Sequence, residues 1–166
     1  MPSDPMTVAA TLALTERNLL LRAIGWGTLV AGTLDILSAI VMYLPRGVGA
    51  ERVLQSVASG LLGRAAYQSG ANAAALGLLL HFLIMLAIVS VYVLASRRYS
   101  GLVNHAAVCG PIYGVIVYGV MNFIVVPLSA IGGGKSPALL DSLVQLGIHI
   151  VCVGLPIAFI ARRLVR

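Results

Sequence analysis

A chain of 166 residues with 60% hydrophobic and only 10% charged residues, and a mean hydropathy of +1.01, lies far outside the range of soluble globular domains. That composition excludes an ordinary soluble domain and points to a membrane protein. The formal net charge of +6 does not point to nucleic acid, because the basic residues flank the apolar stretches and form no patch interleaved with aromatics.

The first fifteen residues, MPSDPMTVAATLALT, lack the basic start and the processing site of a secretory signal, so the first apolar helix is expected to stay as an anchor. Uncharged stretches then follow at 23–45 apart from Asp35, 65–96 apart from His81, 99–134 apart from His105 and 142–161 apart from His149. Each is long enough for the roughly 18–20 apolar residues that cross about 30 Å of hydrocarbon. The expected fold class is therefore all-α: a bundle of four transmembrane helices near 19–44, 72–96, 106–128 and 142–163 in a single membrane domain. A barrel would instead show alternating segments of about ten residues.

Between the first two spans, residues 50–65 (AERVLQSVASGLLGRA) place Val53, Leu54, Val57, Leu61 and Leu62 on one stripe, as an amphipathic helix does. It is expected at the membrane interface, either as a plain link or as a lid over what lies between the helices. Small residues Gly25, Gly27, Ala31 and Gly32, and the Gly110–Gly114 pair in GxxxG spacing, allow close helix approach, within the chain or at a dimer seam. Pro111, Pro127 and Pro156 predict kinks, and GGGKSP at 132–137 predicts a turn.

With an even number of spans, one side carries Arg17, Arg22, Arg97, Arg98, Arg162, Arg163 and Arg166, and the other Arg46, Arg52, Arg64 and Lys135. The positive-inside bias then puts both termini in the cytoplasm. Cys109 and Cys152 fall at different depths and predict no disulfide.

Each span contributes one strongly polar residue. Counted from the cytoplasmic charges or helix ends at 1.5 Å per residue, Asp35, His81, Asn122 and His149 lie about 20–25 Å deep, in one slab in the outer half of the membrane. Tyr118 precedes Asn122 by a turn, and Asp141, Gln145 and His149 form an i, i+4, i+8 stripe on the fourth helix. Ionisable groups in hydrocarbon face the bundle interior and find partners, so Asp35 is expected to pair with His81 or His149.

Three readings of the layer stand side by side: hydrogen-bond glue between helices, a small-ligand or proton binding or translocation site, and a b-type haem held by His81 and His149, with Gly77 and Gly147 leaving room for the porphyrin. Zinc held by the same two histidines and Asp35 is a further variant, without diagnostic spacing. An enzyme is disfavoured, since GxSxG, HExxH and a phosphate-cradling glycine loop are all missing from the sequence.

The phrases VLQSVASGLLGRAAYQSG, LGLLLHF, YGVIVYGVMNFIVVPLSA and IHIVCVGLPIA, spread over most of residues 30–160, resemble small bacterial inner-membrane proteins of the YagU-like family. That resemblance implies four helices in a bacterial plasma membrane, with no assigned chemistry, and carries Gln55, His81, Asn122 and His149 inside the matched phrases. Expected partners are the lipid bilayer and either a second copy of the chain or a larger membrane complex in which it is an accessory subunit.

Overall fold

The structure is a computed structural model that describes residues 4–132 and 138–165. Most of the GGGKSP turn, with Lys135, and the terminal Arg166 lie outside the described residues. All regular structure among them is helical: α1 (Pro5–Tyr43), a 3-10 turn (Leu44–Arg46), α2 (Ala50–Leu62), a second 3-10 stretch (Gly63–Gln68), α3 (Gly70–Arg98), the short α4 (Gly101–Asn104), α5 (Ala106–Val120), α6 (Val126–Leu128), α7 (Leu139–Ile148) and α8 (Leu155–Leu164). Four helical segments are long and apolar enough to cross a membrane: Thr11–Arg46, Gly70–Arg98, Ala106–Leu128 and Leu139–Leu164.

The first helix begins fourteen residues earlier than the expected 19. Asp4 caps it by accepting a hydrogen bond from the Met6 amide at 3.2 Å, and a proline occupies the first helical position, where its missing N–H costs nothing. This local chemistry starts a helix well before hydrophobicity alone requires one.

Two helices contain widened π turns, at Met121–Val125 between α5 and α6 and at His149–Gly154 between α7 and α8. Each ends two residues before a proline, Pro127 and Pro156. A proline inside a helix lacks an N–H, and its ring collides with the carbonyl four residues back; an extra residue in the preceding turn relieves that collision without breaking the rod.

Close packing follows the glycines. A Cβ at Gly154 would run into the Gly110 carbonyl, and one at Gly114 would sit 2.6 Å from the His149 carbonyl oxygen, so α5 lies backbone to backbone on the second π turn. The GxxxG pair thus works inside the chain. Gly27 and Gly32 of α1 likewise receive Val89 and Phe82 of α3. The tightest core lies toward α4, where Val89, Tyr92, Val93, Val153 and Ile157 are fully buried and the Tyr92 hydroxyl donates to the Leu102 carbonyl at 3.0 Å.

At the opposite end, α3 packs on α2 rather than on α5. The Leu54 carbonyl and the Ala58 amide press onto Gly77, where any side chain would collide with α2 backbone. The inward face of α2 therefore consists of Val53, Gln55, Ala58 and Ser59, while Leu61 and Leu62 of the expected apolar stripe are exposed. Small side chains win this face because only they allow backbone contact at Gly77. The C-terminal end of α2 is tied to the loop after α6 by the Ala130 amide, which donates to the Gly60 carbonyl at 2.8 Å.

Substituting Gly77 by Val should cost at least about 3 kcal/mol, since the obstacle is main chain and cannot rotate away. Substituting Gly147, which has open space around its Cβ position, by Ala should instead stabilise by up to about 1 kcal/mol through helix propensity. Equilibrium unfolding of the purified variants in detergent separates the two outcomes.

Candidate functional site

Because α3 leans toward α2, the bundle opens on that side into a cavity of about 240 Å³. Asp35 of α1, His81 of α3, Asn122 of the first π turn, and Gln145 and His149 of the last long helix all line it, and Val53, Ser56 and Val57 of α2 form a further wall. The four polar residues on four separate helices share one space.

Their partners differ from the expected ones. Asp35 pairs with neither histidine, and its partly buried carboxylate takes no hydrogen bond or ion pair among the described residues. His81, buried, has its Nε2 2.9 Å from the Gly32 carbonyl oxygen of α1. A carbonyl only accepts, so Nε2 carries the proton, and Nδ1 takes no hydrogen bond among the described residues. The same argument gives His149 a protonated Nδ1, donating to the Gln145 carbonyl at 2.8 Å, and an unbonded Nε2. Asn122 uses its amide nitrogen on the Tyr118 carbonyl at 2.9 Å, which leaves its side-chain oxygen open. The backbone has thus taken up one donor each of His81, His149 and Asn122, which leaves the second ring nitrogen of each histidine and the Asn122 side-chain oxygen as acceptors around the cavity.

Of the other residues singled out in the sequence, Tyr118 lies behind the cavity wall, its ring packed edge-on against His149 at 5.5 Å between centroids. Gln55 is elsewhere: its amide nitrogen donates to Glu51 at 3.1 Å and to the Gly70 carbonyl at 3.2 Å, which ties α2 to the start of α3. It is placed there because α2 turns its small-residue face, with Gln55 on it, to α3 rather than to the cavity.

The polar stripe of the fourth helix does run into the cavity, with each member held differently. Arg46 grips Asp141 with both guanidinium nitrogens, one at 3.1 Å, and Gln145 donates to the Tyr43 hydroxyl at 3.1 Å, so the end of α1 is clamped to α7. Sequence reasoning missed Tyr43 and Ser56, which line the cavity, and the Arg46–Asp141 clamp beside it. Arg46 was legible only as a flanking charge, and its position opposite Asp141 is set by the 3-10 turn that ends α1.

The haem expectation does not fit. Nε2 of His81 is committed to Gly32, the room reserved beside Gly77 is filled by the Leu54 carbonyl of α2, and 240 Å³ is below the roughly 300–1,000 Å³ of sites that take drug-sized ligands. Zinc fares no better, since no three His, Cys, Asp or Glu side chains among the described residues gather as a metal site. Cys109 and Cys152 are both free thiols, and Cys152 lies 3.3 Å from the Ser38 hydroxyl.

No known protein family, no curated protein and no solved structure matches this chain.

The Gly32 carbonyl stays inside its helix when His81 is removed, so His81→Leu should cost only about 0.6–1 kcal/mol and leave the protein monodisperse. Denaturant titration with size-exclusion profiles checks this; a loss of folding would mean that His81 is chiefly a structural pin.

Proposed function

We propose that the chain is an integral protein of a bacterial plasma membrane that binds a small ligand in its polar cavity, with Asp35 as the principal contact and with Asp35 and His149 as exchangeable proton sites. In this reading both termini are cytoplasmic, the cavity lies in the outer half of the bilayer, and α2 lies at the outer interface as its cover. The distribution of basic residues supports this orientation, and the resemblance to YagU-like proteins is what suggests the compartment. One observation carries the binding role: a carboxylate from the middle of a long apolar helix faces a cavity and has no partner among the described residues. Such a group is expensive to keep in hydrocarbon, and structural glue would have been hydrogen-bonded to its neighbours.

The chemistry of the lining defines the ligand class. Asp35, the side-chain oxygen of Asn122, Nδ1 of His81 and Nε2 of His149 all accept, and no lysine or arginine lines the cavity. A compact cationic or donor-rich group, such as a protonated amine, complements this set, with the ammonium donating to the carboxylate as a charge-assisted hydrogen bond.

Ethylamine serves as the probe. With the protein in nanodiscs, calorimetric titration should detect its binding, and Asp35→Asn, which keeps the shape but removes the charge, should weaken it at least about tenfold, since hydrogen bonds to charged groups are worth about 1.5–3 kcal/mol. Equal binding by wild type and Asp35→Asn would reject the assignment.

A further inference from the structure

The polar cavity has an apolar annex. Between α3 and α5 runs a second depression of about 470 Å³, walled by Ala87 and Val91 on one side and by Tyr113, Ile116 and Val120 on the other. Ile84, Ile88, Val117 and Met121 line both this groove and the polar cavity, so the two are separated by no more than a shared row of side chains. The groove exists because α3 is drawn toward α2 at Gly77 while α5 is drawn onto the last long helix at Gly110 and Gly114. These two attachments pull the walls apart. Toward α4, the Tyr113 hydroxyl donates to the Ile88 carbonyl at 2.6 Å and pins the seam. Ile116 and Val120 on its rim are exposed on the apolar outer surface.

Resting on the small-ligand reading above, we propose that the cavity opens sideways into the bilayer through this seam, and that its ligand is a single-chain amphiphile with an amine head beside Asp35 and its alkyl chain along the groove. The charge complement fixes the head: Asp35 is the one Asp, Glu, Lys or Arg among the residues lining the joined space, and an ammonium donating to its carboxylate is the matching partner. The groove fixes the tail. Its wall from Tyr113 to Val125 is about 18 Å long, room for one medium-length chain laid along the helix. Entry from the bilayer keeps the chain in an apolar medium throughout, so only the head changes surroundings.

The test uses decylamine carrying a diazirine at its chain terminus, photolysed with the full chain in nanodiscs, and peptide mapping of the adducts. Adducts should concentrate on the seam residues of α3 and α5, fall at least fivefold in Asp35→Asn, and be displaced by excess ethylamine. Ala87→Trp, which fills the groove, should abolish the seam adducts while calorimetric binding of ethylamine persists; Ile116→Trp on the facing wall does the same job should the first variant fail to fold. Adducts spread evenly over the exposed helix faces, insensitive to Asp35 and to Ala87→Trp, would overturn the lateral seam. If ethylamine binds normally under that outcome, the small-ligand site stands and only the amphiphile is rejected; if ethylamine does not bind either, both fall together.

Discussion

Contact between helix backbones at glycine positions sets everything else in this molecule. In an apolar medium there is no hydrophobic force to drive helices together, and association rests on van der Waals contact and hydrogen bonds. Gly77 draws α3 under α2, and Gly110, Gly114 and Gly154 draw α5 onto the last long helix. A helix fixed at two such points has no freedom left to close against a third neighbour. The gap between α3 and α5 is the geometric remainder of contacts made elsewhere, and the polar side chains of the adjoining cavity are grouped because the helices that carry them are held, not because they attract one another.

The polar groups also differ in how the backbone treats them. His81, His149 and Asn122 each give a donor to a main-chain carbonyl, and His149 and Asn122 do so within their own helix at i−4. Both of these sit in π turns, and the carbonyls they reach, Tyr118 and Gln145, also accept the main-chain N–H groups of Met121 and His149. Asp35 lies in a regular part of α1, and a carboxylate has no donor to give to a carbonyl. It is left without a main-chain or side-chain partner among the described residues.

Much of this was readable in the sequence and part was not, for definite reasons. Length and hydrophobicity mark the four long helices because a spanning helix needs an uninterrupted apolar run, and the shared depth of Asp35, His81, Asn122 and His149 follows from the constant rise per residue. Their partners do not follow, because pairing depends on helix rotation, which spacing alone does not determine; hence the expected Asp35–histidine pair does not form. The apolar stripe 53, 54, 57, 61, 62 marks α2 as an amphipathic helix but not which residues meet α3, because the contact at Gly77 is made by main chain at Leu54 and Ala58. Prolines announced irregular helices but not that the relief would take the form of π turns.

The single main-chain hydrogen bond from Ala130 to Gly60 gives α2 an odd mechanical status. One end of α2 is seated on α3 and the other is moored to the segment just beyond Pro127, on the far bank of the seam. It behaves as a strut across the gap: any spreading of the two banks loads that tether directly, and a molecule pushing between α3 and α5 from the side would be felt at the mouth above before it reached the carboxylate below.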